Sequence, residues 1–390
     1  MYTLQFTATT GCHRRQIASM PTSFITLAIR IIRVASLHAD MKYNYCFLAQ
    51  IITCICLLGA CKGNAEPEYN NQFFAFGTII DITIYGMDKD RASAASGEIE
   101  QIFLDIHKSW HAWQESDVTR LNESIESGLP VVLDRDLALL LKKSIGLGIQ
   151  SEGLFNPAIG KLAELWGFHN DEMPAGSPPD YESIQGFLQT SPDIHSLVLD
   201  ENKLVQYDRN IQLDFGGIAK GFAIDIAIGH LRDLGINNAI VNAGGDLRVI
   251  GRHGNRPWNI GIRSPRGNGI LASLSIDGDY SIFTSGDYER FYEYEGKRYH
   301  HILDPRTGYP ADSMISATVM HTDAATADAA ATALFIAGPE HWYSVAREMG
   351  IRYVMLVDSD GKIHMNPAMA KKIHFEIEPI PEIALSPPLQ

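Results

Sequence analysis

NAIVNAGGDLRVIG (residues 238–251), WNIGIRSP (258–265) and ILASLSIDG (270–278) are three stretches in which Ile, Val, Leu and Trp recur between polar or small residues and which close on Gly or Pro. They follow one another with no helical stretch between them, so each reads as a strand. Strands that cluster in this way, instead of alternating with helices, favour an α+β fold over a doubly wound sheet. Outward towards the C-terminus, FTSGDYERFYEYEGKRYHHILD (283–304) adds short strands and ISATVMHT (315–322) another. An Ala-rich helix is expected over about Ala325–Ile336, and RYVMLVDSDGKIHMN (352–366) reads as a hairpin turning at Asp360-Gly361. Outward towards the N-terminus, helical spacing predicts helices over 90–108, Asp136–Gln150 and Ile218–Leu234, the last stopped by Gly235. A short helix is expected from Pro157, strands over 196–214 ending in IQLDF, and one strand in FFAFGTIIDITIYG (73–86). The expectation is mixed, mostly antiparallel sheets with packed helices, as two intimately associated lobes.

Composition narrows the function classes. Hydrophobic residues make up 45% and charged residues 20% of the 390, which is ordinary for a folded protein. The net charge is −14, and Arg14, Arg15, Arg30, Arg33 and Lys42 outnumber Asp40 before residue 62, so the body is more acidic still. Such a surface repels a phosphate backbone, and no nucleic-acid partner is expected. Cys12, Cys46, Cys54, Cys56 and Cys61 all precede residue 62, which excludes a disulfide scaffold or cysteine-ligated metal in the body.

MKYNYCFLAQIITCICLLGAC (41–61) has a basic start at Lys42, an apolar run from Cys46 to Leu58, and small residues Gly59 and Ala60 before Cys61. This is similar to a bacterial lipoprotein signal, with Cys61 as the lipidated residue; the alternative is an uncleaved anchor. The run is shorter than the roughly 20 residues that span a bilayer, which favours the signal. Residues 1–40 are expected to be a non-native upstream extension with Met41 the true start, the alternative being a long signal n-region. Residues 61–71 read as a polar tether and 72–390 as the folded domain.

LDFGGIAKGFAID (213–225) places Asp214, Gly216, Gly217, Lys220 and Gly221 where a strand enters a helix. Glycines admit a ligand to the backbone, a helix N-terminus favours phosphate, and Lys220 adds a point charge; a plain glycine turn is the alternative. In DAATADAAATALF (323–335), Asp328 and Thr332 share a helix face and offer the hard oxygens that suit Mg2+, the alternative being a solvated Asp and a packed Thr, while Asp323 reads as the N-cap. In RYHHILDPRTGYP (298–310), a histidine of the pair His300 and His301 is a candidate general base, the alternative being a turn stabilised by Asp304 and Arg306. Trp110 and Trp113, spaced i, i+3, are core packing or a flat-ring stack.

Taken in order, these segments with NAGGD and TSGDYER resemble the ApbE family of FAD:protein FMN transferases, from about Phe76 to Gly338. The resemblance implies an ApbE-like fold, with Asp214 and Lys220 contacting FAD, and with Gly217, Asp328 and Thr332 holding Mg2+. Phe76, Trp113, Leu154, Phe155, Asn156 and Ile302 would line the flavin site and His301 would be the base. Phe76 stands where the family often has Met, and Asn156 where it usually has Asp. The implied reaction is Mg2+-dependent transfer of FMN from FAD to a threonine hydroxyl, with AMP released. Implied acceptors are flavoprotein subunits of redox-driven pumps or extracytoplasmic electron-transfer proteins. With the lipobox, this puts the enzyme on a bacterial membrane, facing the periplasm or exterior. Two alternatives share the residues: an Mg2+-dependent FAD pyrophosphatase, and a non-catalytic flavin-binding lipoprotein.

Overall fold

Residues 68–85 form a hairpin instead of the single strand expected, with β1 (Glu68–Ala75) antiparallel to β2 (Thr78–Tyr85). The two turn residues, Phe76 and Gly77, have φ of 52° and 70°. A turn left-handed at both central positions matches the twist of paired strands, but it is a strained conformation for a phenylalanine. The computed structural model describes residues 67–169, 173–174, 176–190 and 192–390. The upstream extension, the signal 41–60 and Cys61 lie outside them. The first described strand begins at Glu68.

Around the hairpin the described elements run α1 (Lys89–Ser109), α2 (Asp117–Ser127), β3 (Val131–Val132), α3 (Arg135–Gln150), α4 (Gly160–Leu165), α5 (Tyr181–Thr190), β4 (Val198–Asp200), β5 (Lys203–Gln206) and α6 (Ala219–Asp233). There follow β6 (Ala239–Ala243), β7 (Asp246–Ile250), β8 (Trp258–Arg263), β9 (Ile270–Ile276), β10 (Tyr280–Gly286), β11 (Phe291–Tyr294), β12 (Lys297–His300) and β13 (Met314–His321). The chain closes with α7 (Ala324–Glu348), β14 (Tyr353–Asp358), β15 (Ile363–Met365), α8 (Pro367–Ala370), β16 (Ile373–Phe375) and β17 (Ile383–Leu385).

One sheet, in the order β1-β2-β6-β7-β10-β13-β14-β15-β17, organises the molecule, antiparallel except where β15 meets β17. Ile80, Ile82 and Ile84 of β2 face a core shared with Ile99, Phe103 and Ile106 of α1, Ile224 and Ile228 of α6, and the alanines of α7. Burying each large apolar side chain there contributes about 1.5–3 kcal/mol. Leu247 and Val249 of β7 face the opposite side, where Trp258, Ile260 and Leu274 of the β16-β9-β8 sheet cover them. With both faces covered, β7 is buried at every position, and its two charged residues, Asp246 and Arg248, are each held in an ion pair. A third cluster joins Trp166 and Ile184 to Tyr292 and Leu303. Residues 66–390 form one compact unit, and the α+β, mostly antiparallel architecture is as expected.

Five further segments differ from the sequence reading. IQLDF (211–215) is no strand: Gln212 makes an isolated bridge to Ile159, and the Asp214 N–H donates to the Pro157 carbonyl (2.9 Å). Its alternation reflects the burial of Ile211, Leu213 and Phe215 alone. The short helix starts at Gly160, and α2 and α5 were not read at all. The Ala-rich helix continues past Ile336 to Glu348 through a kink at Gly338 (φ 72°) ahead of Pro339. Among the described residues, no helix is long and apolar enough to cross a membrane.

Candidate active site at the α6–α7 crossing

The turn into α6 begins at Asp214, whose Oδ1 accepts from the Gly216 N–H (2.8 Å), while Ile218 and Ala219 N–H donate to the Phe215 carbonyl (2.9 and 2.8 Å). Asn122 of α2 holds the preceding residue through both main-chain groups of Leu213, at 2.7 and 3.0 Å. This fixes the approach to Gly217. A methyl group there would sit 3.5 Å from Thr332 Oγ1 and 3.5 Å from Phe155 Cε2, so all three residues meet. Thr332 Oγ1 also lies 3.3 Å from Ser285 Oγ of β10.

At the start of α6, Lys220 forms an ion pair with Asp246 at the start of β7, whose second oxygen accepts from the Thr284 N–H (2.9 Å). Burial opposes the lysine's charge, but Asp246 and Asp328 outweigh it and raise its pKa, so it stays cationic. The Gly221 N–H donates to Asp328 Oδ2 (3.0 Å), and a Cβ at Gly221 would overlap the Ala324 carbonyl of α7. Only glycine allows the helices to cross this closely. Burial raises the Asp328 pKa to about 7 against the charge of Lys220, with Asp246 adding to the rise. Burial likewise raises that of half-buried Asp214, opposed by the Gly216 N–H and the charges of Arg290 and His111. Asp323 caps α7 through the Thr326 N–H (2.8 Å), as expected, and pairs with Lys143 (2.8 Å).

The two histidines have different surroundings. His300 is buried, its Nε2 2.6 Å from the Ala311 carbonyl and its Nδ1 accepting from the Ile302 N–H (3.2 Å), so it braces the loop that carries Ile302. His301 is half-buried beside Phe168, with Nδ1 3.2 Å from the Arg290 carbonyl. A carbonyl can only accept, so Nδ1 carries the proton and Nε2 is left as a lone-pair acceptor. Burial, then the charge of Arg290, lowers the His301 pKa from 6.5 to about 3, and the ring is neutral at ordinary pH. The turn after it is held as its sequence suggested, by Arg306 Nη2 on Asp304 Oδ2 (2.7 Å).

The remaining residues fall into two sets. Leu154 and Phe155 are buried members of the main core, with the Phe155 ring against Gly217. Asn156 donates through Nδ2 to the Pro192 carbonyl (3.2 Å) and accepts through Oδ1 from the Ala158 N–H (3.0 Å), a bracing role that uses both ends of the amide. Phe76 packs on His107 (ring centroids 5.5 Å) and Trp113 on His169 (5.5 Å). Trp110 is instead buried against Phe222, which separates the roles of the two tryptophans. Sequence reasoning missed Asp225, Asp246, Ser285 and Arg290, although each lies inside a quoted motif. Asp246 and Ser285 differ from solvated polar residues only in what the sheet brings opposite them.

An ApbE family model matches residues 76–355. An FAD:protein FMN transferase of Rhodobacter capsulatus is 36% identical over 307 residues, 79% of this chain and 58% of that relative, so the chain spans a little over half its length. One from Treponema pallidum is 30% identical over 347 residues, covering 83% of this chain and 94% of the relative. The crystal structure of an ApbE protein from Thermotoga maritima superposes with a TM-score of 0.72 at 32% identity, covering 80% of this chain and 100% of that one. The flavin transferase ApbE from Vibrio cholerae gives 0.69 at 26%, covering 79% and 99%. On its sequence, its fold and the convergence of its motifs at one helix crossing, this chain belongs to the ApbE family.

Proposed function

We propose that the protein transfers FMN from FAD to a threonine hydroxyl of an acceptor flavoprotein. The observation that carries this reading is the cluster at the α6–α7 crossing: the half-buried cation Lys220 paired with Asp246, the Asp328 carboxylate on the Gly221 N–H, and the Thr332 and Ser285 hydroxyls beside Gly217. Relatives bearing the name FAD:protein FMN transferase support it. In the reaction, the threonine oxygen bonds to the FMN-side phosphorus, the bond from that phosphorus to the bridging oxygen breaks, and AMP leaves. His301 Nε2 takes the hydroxyl proton, and Lys220 balances phosphate charge. Asp214, Phe76, Trp113, Leu154, Phe155, Asn156 and Ile302 are the flavin-side residues of this reading.

The donor set suits magnesium: one carboxylate, one hydroxyl and a main-chain carbonyl are hard oxygen ligands, few enough to leave positions for substrate phosphate. Asp328, Thr332 and the Gly217 carbonyl would hold it. Bound there, Mg2+ supplies positive charge to the diphosphate. From the sequence of residues 41–61, the proposal extends to a lipid anchor at Cys61 and a periplasmic or exterior location.

The test is incubation with FAD, Mg2+ and a threonine-bearing acceptor, following AMP, free FMN and acceptor mass. FMN on the acceptor supports transfer. Free FMN with unmodified acceptor replaces it by hydrolysis, and no AMP leaves only binding.

A further inference from the structure

We propose that Asp225 is a positioning residue for the metal: by clamping the first turn of α7 onto α6 it holds Asp328 and Thr332 in register with Gly217, without ligating anything itself. The inference rests on the assignment of those three residues to the metal made above.

Asp225 lies on α6 one turn beyond Gly221, on the face that meets α7. Its Oδ1 accepts from the Ala324 N–H (2.9 Å) and its Oδ2 from the Ala325 N–H (3.0 Å), two of the donors that the first turn of a helix leaves without intrahelical partners. Asp323, the residue that caps α7, satisfies only the Thr326 N–H (2.8 Å). The first turn is therefore capped by its own chain and by a second helix. Gly221 completes the joint from the other side: its N–H holds Asp328 Oδ2 (3.0 Å), and its missing side chain allows the contact with Ala324 and Ala325.

Asp225 is itself held. Arg248 of β7, 8% exposed, pairs with it and also with Asp279 through Nε and Nη2, both at 2.9 Å; Asp279 in turn pairs with Arg232 of α6. The chain of alternating charges holds the carboxylate of Asp225 in place between α6, α7 and β7. Because Asp328 and Thr332 ride on α7 while Gly217 and Lys220 precede or begin α6, a slip at this joint changes the spacing between metal ligands. It leaves residues carried by the β-sheet where they are.

The experiment measures Mn2+ binding by electron paramagnetic resonance and FAD binding in EDTA, on wild type, Asp225→Asn, Asp225→Ala and Asp328→Ala. His364→Ala, which breaks a 2.7 Å bond to Asp358 at the β14–β15 turn, serves as a control for general destabilisation. The expected result is Mn2+ affinity at least about tenfold weaker in Asp225→Ala and intermediate in Asp225→Asn. Metal-free FAD affinity stays within about twofold, and His364→Ala binds Mn2+ like wild type. Unchanged Mn2+ affinity in the Asp225 variants overturns the inference, as does a parallel loss of FAD affinity. If Asp225→Ala does not fold, Asp225→Asn decides by the same criteria. Asp328→Ala binding Mn2+ like wild type overturns the metal assignment itself, whereas loss in Asp328→Ala without loss in Asp225→Asn overturns only the role of Asp225.

Discussion

His301 Nδ1 and the Arg290 carbonyl lie 3.2 Å apart, and the main-chain N–H of His301 donates to the same carbonyl at 3.1 Å. Two donors on one acceptor fix the ring's tautomer and its direction, which leaves Nε2 as the only unprotonated nitrogen.

Removing a general base of this kind lowers turnover by about 10²–10⁴-fold. His301→Asn is expected to lose transfer in that range while FAD binding changes little. Since burial and Arg290 lower the imidazole pKa to about 3, the base stays unprotonated at every pH above that value. At saturating Mg2+, the turnover profile of the wild type therefore has no acid limb from this ring near 6.5. Rate measurements from pH 5.5 to 8 check this, and an acid limb near 6.5 that disappears in His301→Asn contradicts it.

His300 links stability to pH in the same direction. Burial lowers its pKa below 6.5, with the Ala311 carbonyl opposing. Below pH 6.5 the unfolded chain takes up a proton that the folded chain refuses, so stability is full above that pH and falls beneath it. The slope in that window is about 1.4 kcal/mol per pH unit for one histidine. Urea titrations at pH 7.5 and 5.5 are expected to show the loss, smaller in His300→Gln than in wild type.

Gly221 and Gly217 are predicted to fail differently. A methyl at Gly221 meets the Ala324 main chain, so Gly221→Ala costs about 1–3 kcal/mol as overpacking and lowers the melting temperature. At Gly217 the nearest atoms are 3.5 Å away, an ordinary contact, so Gly217→Ala is expected to fold like wild type. Calorimetry on both variants separates the cases; equal melting temperatures would falsify the close-approach argument.

Asn156→Asp restores the residue expected from the family and is predicted to destabilise this chain. The Asn156 Nδ2 donates to the Pro192 carbonyl at 3.2 Å, and a carboxylate offers no donor there. Placing two acceptors face to face costs about 1–3 kcal/mol. A denaturation midpoint equal to or above the wild-type value refutes this.

How much of this was legible beforehand depended on the range of the interaction. Helix α1 could be read because Ile99, Phe103 and Ile106 repeat at its own period, and the cap at Asp323 because the donor it satisfies lies three residues on. The hairpin turn at Phe76-Gly77 was missed because a left-handed phenylalanine contradicts local preference and persists only when the neighbouring strands and His107 hold it. The pattern of IQLDF misled because alternating burial reports which side faces a core, and a strand further requires a partner.

By itself, the sequence determined the α+β class, the family, and the residues Asp214, Gly217, Lys220, His301, Asp328 and Thr332 as the candidates. The class follows from the spacing of apolar residues, a property of neighbouring positions, whereas the family and those residues follow from the resemblance of the motifs to the ApbE family. Which histidine is free to accept a proton, which tryptophan packs in the core, and why Gly221 cannot carry a side chain were decided by tertiary structure. Each depends on an atom far away in sequence: the Ala311 carbonyl opposite His300, Phe222 against Trp110, and the Ala324 main chain across the helix crossing. Burial and hydrogen-bond partnership arise only when the sheet brings such segments together.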